Sequence, residues 1–475
     1  MDAAGQKVGN KDARLRSRGC LACIRMKVKR CARGRRPCPG YRDATAFVFR
    51  YESGSGNNQL AISNVQGPQI QGQTPSKPMP TDWKQVALLH FFENFMVPST
   101  GGFPGYFEML PRIYNDFRHL TYLNSIFEAI SMASLARVKR MGDEHLRNAG
   151  RAYGNAMQHL VPILENKDEA ASVAVLVTAE LMRNYEIIMG LNEPGSLSAH
   201  RAGQLELLRL RSSRKPDGYA WVDRSVLAGA RVTAIATPAG DDRAPEADDL
   251  TLPNPPAWEA TPSLTLVSNL LPRVNVICAR VLEAYNNPFS GPQLAKEFAL
   301  LQQLNSDLIS WKDTVPESWG YKVYPNITAG PERMFPPFLN TLIVVPNIHL
   351  FSTWISYWIA RLDVARCIAT VLPSVVGASV ALHGLVEART VLLENVDNLC
   401  AVTPYVLGHV DDDGRAQPDG TNKIILAFLL TRALYVVSML PGLPDDRRDW
   451  VLDRLRYIGL YRGIGQALRP NPGKR

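Results

Sequence analysis

The chain has 475 residues, 46% of them hydrophobic and 20% charged, with a formal net charge of +9. Those proportions exclude a globally disordered chain, and the length exceeds the roughly 250–300 residues that one core sustains, so one large domain with an appendage, or two domains, is expected. The charge is not spread evenly: residues 1–45 hold 13 of the 53 basic and 3 of the 44 acidic residues, a net of +10, and the remaining 40 basic and 41 acidic residues net −1. A basic arm on a neutral body points to a polyanionic partner, either nucleic acid or an acidic membrane surface.

The first element in chain order is the segment "GCLACIRMKVKRCARGRRPCPGYRD", Gly19 to Asp43, which holds Cys20, Cys23, Cys31 and Cys38, four of the seven cysteines. Residues 1–19 contain no apolar run of the kind a secretory signal needs, so a reducing compartment is expected. There, clustered cysteines read as metal ligands rather than disulfides. A C-x2-C pair places two thiolates on one tetrahedral metal, and the surrounding lysines and arginines favour the thiolate form. Cys278, Cys367 and Cys400 stand singly in apolar stretches and read as small core residues.

Residues 53–82 follow, rich in Gly, Ser, Gln, Asn and Pro, with Lys77 and Asp82 as their only charges. Such a composition cannot bury enough surface to order itself, so residues 46–82 are expected to be a flexible linker. From Trp83 onward the pattern is helical. "WKQVALLHFFENFM" puts Val86, Leu89, Phe92 and Phe95–Met96 at three- and four-residue steps. "AASVAVLVTAELMRNYEIIMG" is apolar on more than one face and ends at Gly190, a helix stop. "HRAGQLELLRLR" aligns Gly203, Leu207 and Leu210 beneath a basic outer face. Further helices are predicted over roughly 263–285, 292–312, 344–371, 378–402, 422–439 and 444–457. "TLIVVPNIHLFSTWISYWIA", Thr341–Ala360, is free of Asp, Glu, Lys and Arg for the length of a bilayer span, but Pro346, Asn347, His349 and its hydroxyls favour a buried helix. The predicted fold is mostly α: a small N-terminal knuckle (residues 1–45), the linker (46–82) and one large all-helical region (83–475), as one domain or two fused lobes.

The cysteine segment resembles the fungal binuclear zinc-cluster (Zn2Cys6) transcription factors. In that family six cysteines hold two zinc ions, and a basic run after the second cysteine enters the major groove to read CGG-type triplets. "GCLACIRMKVK" looks like the first half of the motif, with Lys27 where the family's base-reading lysine lies and Met26 at a position that is often basic. "RCARGRRPCPGYRD" looks like its last third, with Cys31 and Cys38 matching the fifth and sixth cysteines. The third and fourth cysteines, which would fall between Lys29 and Arg30, are missing. An alternative alignment makes Cys31 and Cys38 the third and fourth. Either way the two-metal cluster cannot form as written. Three readings stay open: a short coding stretch lost at Lys29–Arg30, a single zinc held by four cysteines, or a defunct module. An unstructured basic tail with incidental cysteines is the plain alternative to all three.

The resemblance extends past the knuckle. "AYGNAMQHLVPIL", "HRAGQLELLRLR", "NTLIVVPNIHLFSTWISYWIARL", "NVDNLCAVTPYVLG" and "DWVLDRLRYIGLYRGIGQAL" are similar, in order, to blocks of the family's fungal-specific regulatory domain, in which a His-x-x-Gly helix ends in an Arg-bearing turn. A tryptophan common just before that helix is absent here, with Leu197 and Ser198 in its place. The resemblance implies a nuclear regulator of transcription that binds double-stranded DNA, with zinc as cofactor (two ions in an intact cluster, one or none with four cysteines) and no membrane partner. Cys20, Cys23, Cys31 and Cys38 would hold the metal. Arg25, Lys27, Lys29 and Arg30 would face the bases, and Arg33, Arg35 and Arg36 the phosphates. The helical region would then serve a homodimer contact or a small-molecule or protein effector. The second reading is a regulator that no longer binds DNA and acts through the helical region alone.

An enzyme is not expected. G-x-S-x-G, H-E-x-x-H, the phosphate-binding lysine loop and G-x-G-x-x-G after a strand are all missing. Asp411–Asp413 before Gly414 lacks the spacing of a calcium loop and reads as a solvated acidic turn. His200 and His349 read as core or hydrogen-bonded histidines rather than ligands. The sequon at Asn326 carries no weight without secretion.

Overall fold

The computed structural model describes residues 82–99, 106–191, 196–212, 218–219, 222–223, 266–287, 291–327, 335–336, 338–345, 347–417 and 422–469. The knuckle, residues 46–81 of the expected linker and all eleven metal- and DNA-contact residues expected from the sequence lie outside them; Asp82, the last residue of that linker, caps the first helix.

The described residues are overwhelmingly helical. Helix α1 (Trp83–Phe95) starts where Asp82 Oδ1 accepts from the backbone N–H groups of Lys84 (3.0 Å) and Gln85 (3.3 Å), closing two of the donors a helix start leaves open. Its inward face differs from the expected one. Ala87, Phe91 and Phe95 are buried, whereas Val86 and Leu89 are 39% and 60% exposed. The aromatic rings decide the phase: Phe91 stacks on Phe95 at 4.7 Å, and Phe95 meets Phe428 edge-on at 6.1 Å.

After α2 (Leu110–Phe117), helix α3 (Thr121–Val138) is buried on nearly every side. Ser125, Ala129, Ser131, Ala133, Ser134 and Ala136 keep its surface low, and α1, α4 (Asp143–Glu165) and α6 (Val173–Met189) pack around it. The single turn α5 (Lys167–Ala170) links α4 to α6. Ser172 caps α6 by accepting from Val175 N–H (3.3 Å), and Gly190 ends it at φ 73°, as its glycine predicted. Gly190 also meets Gly465 backbone to backbone. A Cβ on Gly190 would lie 2.8 Å from the Gly465 carbonyl carbon, and one on Gly465 2.6 Å from that of Met189. Arg469 fixes this junction by donating to Gly190 O through Nε (3.2 Å) and Nη2 (3.1 Å).

Helix α7 (Ser196–Ser212) buries Gln204, Leu207, Leu208 and Arg211, while Gly203 is exposed. The inward line expected through Gly203, Leu207 and Leu210 is therefore rotated, because Gln204 and Arg211 have polar partners inside. The second half comprises α8 (Leu271–Asn286), α9 (Gly291–Asp313), α10 (Ile348–Val376), α11 (Ala378–Val406), α12 (Ile424–Ser438) and α13 (Asp445–Tyr461). Helices α10 and α11 have 29 residues each, about 43 Å at the usual rise, and fold back on each other at Gly377 (φ 85°). Trp354, Tyr357 and Trp358 of α10 form an aromatic nest with Trp311 and Tyr321, at ring distances of 5.0–6.0 Å.

One expectation needs correcting. Residues 341–360 are not a single helix. Thr341–Val344 is strand β2, paired antiparallel with β1 (Lys322–Pro325) in the register Lys322↔Val344 to Pro325↔Thr341. The apolar, β-branched run extends as a strand with Leu342 and Val344 packed on Val410. Helix α10 begins only after Asn347, whose Oδ1 accepts from His349 N–H (2.7 Å). No helix among the described residues is long and apolar enough to cross a membrane.

One hydrophobic cluster runs from Ala87 to Ala467 and joins both halves. Cys278, Cys367 and Cys400 are buried in it as free thiols. Cys367 first, and burial next, push the Cys278 thiol well up. His349 is a hydrogen-bonded core residue, its Nε2 2.9 Å from Pro98 O. Asn326 is structural, not a surface acceptor: it is buried, its Nδ2 donates to Leu339 O (2.7 Å) and Phe335 O (3.1 Å), and its Oδ1 accepts from Phe335 N–H (3.1 Å). The acidic turn is as expected. Asp411 Oδ1 accepts from the N–H groups of Asp413 (3.0 Å) and Arg415 (2.8 Å), with Gly414 at φ 76°.

Candidate functional site: a polar seam between two helices

The apolar sequence of α6 contains three polar residues, Glu180, Arg183 and Asn184. Their i, i+3, i+4 spacing puts them on one helical face. With Gln204 of α7 they are among the most deeply buried polar groups, at 2%, 3%, 1% and 1% exposure. Glu180 is the hub. Its Oε1 accepts from Arg183 Nη2 (2.5 Å) and Asn184 Nδ2 (2.9 Å), and its Oε2 from Gln204 Nε2. Asn184 Nδ2 also donates to Glu180 O (2.8 Å). Burial pulls Arg183 down, but Glu180 outweighs it and holds the guanidinium charged. Tyr106 lies close enough to sense both charges; burial pushes its phenol up, Glu180 adds to the rise and Arg183 opposes it.

A second group lies along the same helix pair. Glu186 Oε1 accepts from Tyr153 OH (2.6 Å) and faces His200 Nε2 at 2.9 Å. Burial pushes the Glu186 carboxyl up, but the hydrogen bonds from His200 and Tyr153 prevail and hold it below the usual range. Tyr153 stacks on Tyr185 at 4.4 Å, and burial pushes the Tyr185 phenol up to about 12. At the far end of α7, Arg211 grips Asp223 with Nε (2.5 Å) and Nη2 (3.1 Å) and donates from Nη1 to Ala171 O (2.7 Å). This bidentate fork ties the end of α7 to the start of α6 and to the 222–223 turn.

His200, singled out in the sequence, is thus a carboxylate partner. The Glu180–Arg183–Asn184–Gln204 cluster went unnoticed there. Its signal was present, since a glutamate and an arginine three residues apart inside an apolar run are expensive to bury unless they meet each other. The described residues contain no group of three or more His, Cys, Asp or Glu placed to hold a metal ion.

The architecture defines a class: an all-helical domain with a small hairpin and a buried polar seam, in a chain that also carries a basic, cysteine-bearing segment. No protein-family profile and no solved structure matches the chain. It is similar to transcription factor dbaG of Emericella nidulans, with 24% identity over 339 residues, which takes in 66% of this chain and 73% of that protein.

Proposed function

We propose that the chain is a regulator of transcription that reads duplex DNA through residues 19–42, organised by zinc on Cys20, Cys23, Cys31 and Cys38. Two independent facts support the reading: the relative over two-thirds of the chain is named a transcription factor, and the excess positive charge is confined to the cysteine-bearing arm. The second carries the DNA assignment, because lysines and arginines at fixed spacing on a metal-held knuckle neutralise phosphates and displace counterions. Arg25, Lys27, Lys29 and Arg30 approach base edges, while Arg33, Arg35 and Arg36 hold the backbone. A nuclear location follows from such a role, and the helical domain regulates rather than catalyses.

The test is equilibrium binding to a duplex bearing CGG triplets and to a scrambled duplex, over a range of salt. Lys27→Ala should erode the preference between the two. Arg35→Ala should weaken both alike and flatten the log–log salt slope by about 0.9. Equal losses on both duplexes from both variants would refute the division of roles. No binding to either duplex would favour a regulator that acts through its helical domain alone.

A further inference from the structure

We propose that the exposed stripe Gly150, Gly154, Met157, Val161 and Leu164 on α4 is a self-association surface, on which a second copy of this chain lays its own α4 antiparallel. The inference stands on the helical domain alone and does not depend on the DNA-binding reading.

The five residues step by four, three, four and three along one 23-residue helix, the spacing that keeps a line of side chains on one face. All five are exposed. Met157, Val161 and Leu164 are 45%, 57% and 44% exposed, while Ala149, Ala156 and Leu160 face the core. The glycines are not required by their own fold. A Cβ on Gly154 would meet nothing within 4 Å, and one on Gly150 only the Tyr185 hydroxyl at 3.9 Å. Glycine is the poorest helix former after proline, so two of them in mid-helix weaken α4 with no compensating contact inside the chain. What they supply is a bare backbone that a second helix can approach closely. Other exposed apolar side chains lack this feature. Val380, Leu382 and Val386 of α11 are more exposed still, but the glycine among them, Gly384, lies against Leu372 of its own chain.

The stripe is thin at its N-terminal end and bulky at its C-terminal end, and this decides the occupant. A second α4 running antiparallel sets Leu164 over Gly150 and Val161 over Gly154, with Met157 meeting its own copy at the centre. Each bulky side chain then finds a glycine, and does so twice by symmetry, the self-complementary pattern of a two-fold interface. A parallel pair would bring bulk onto bulk and leave a gap between the glycines. Charge selects the same arrangement. Arg151 and Glu165 follow Gly150 and Leu164 by one position, so the antiparallel pair stands Arg151 of one copy beside Glu165 of the other. Among the described residues Arg151 donates to Asn148 Oδ1 (2.7 Å) and makes no ion pair, and neither does Glu165. From Gly150 to Leu164 the seam is about 21 Å long at the usual rise. A contact of that length lies at the low end of specific interfaces, so the dimer is weak, with a dissociation constant on the order of 10 µM.

The test is sedimentation velocity on the full chain from about 1 to about 100 µM, with urea unfolding as the control for folding. The wild type should pass from monomer to dimer across this range. Gly154→Leu fills the bare stretch at a position with open space in the monomer. It should leave the unfolding midpoint at or above the wild-type value while weakening the dimer at least about tenfold. Arg151→Glu and Glu165→Arg should each weaken the dimer about threefold, and the two together in one chain should restore it. A chain that stays monomeric at about 100 µM overturns the proposal. So does a dimer that Gly154→Leu leaves unchanged, since its contact then lies on another surface. A doubly charge-exchanged chain that dimerises no better than either single variant overturns the antiparallel arrangement.

Discussion

Replacing Glu180 with Gln is the sharpest perturbation of the helical domain. The side chain is 2% exposed and its Oε1 lies 2.5 Å from Arg183 Nη2, itself on a residue 3% exposed. Glutamine keeps the volume but removes the negative charge, leaving a buried guanidinium with no counter-ion. Breaking a buried pair in this way costs about 3–5 kcal/mol, because the desolvation of the surviving charge is no longer offset. The amide also turns a donor toward the NH2 groups of Asn184 or Gln204, which adds to the loss. Against a typical total stability of about 5–15 kcal/mol, the variant should unfold at a markedly lower urea concentration. Glu180→Gln with Arg183→Met removes both charges and should recover most of the loss, giving a large coupling energy in a double-mutant cycle. If Glu180→Gln stays within about 0.5 kcal/mol of the wild type, the pair is not a dry ion pair and the reasoning about the seam fails with it.

Three further outcomes follow. Gly190→Ala, at φ 73° and 2.8 Å from the Gly465 backbone, should cost about 2–4 kcal/mol in urea unfolding, and Gly465→Ala a similar amount through the same junction, so the two should not add. The Glu186 carboxyl is held below its ordinary value by His200 and Tyr153, so its contribution is present above the carboxylate's unfolded pKa and is lost as pH falls through the folded one. Tyr153→Phe should therefore lower stability at neutral pH by about 1–2 kcal/mol and converge with the wild type in acid, measured as unfolding temperature from pH 7 down to about pH 3. Of the seven thiols, Cys278, Cys367 and Cys400 should react with a thiol reagent only on unfolding, whereas Cys20, Cys23, Cys31 and Cys38 should react in the native protein once a chelator is added.

Helix positions were largely legible in the sequence: Gly190 ends α6 as read, and the helices expected over roughly 344–371 and 378–402 fall on α10 and α11, although α10 starts only after Asn347. Helix faces were less legible. In α1, Val86 and Leu89 are as apolar as Ala87 and Phe91, and only the partners Phe107 and Phe428 select the buried side. Strand β2 was hidden because a short apolar run suits a buried helix as well as a strand, and its pairing partner lies some twenty residues upstream. The polar seam was readable only in part. The spacing of Glu180, Arg183 and Asn184 is local, but Gln204 reaches the cluster through tertiary packing. The proposed metal- and DNA-contact residues rest on sequence alone.

Zinc content together with DNA preference tests the central claim most directly. Full-length protein should carry about one zinc per chain with the four cysteines present. Chelation should abolish discrimination between CGG-bearing and scrambled duplexes while leaving the far-ultraviolet helical signal unchanged. Protein that binds no zinc, or that discriminates equally well after chelation, contradicts a metal-held reader of DNA.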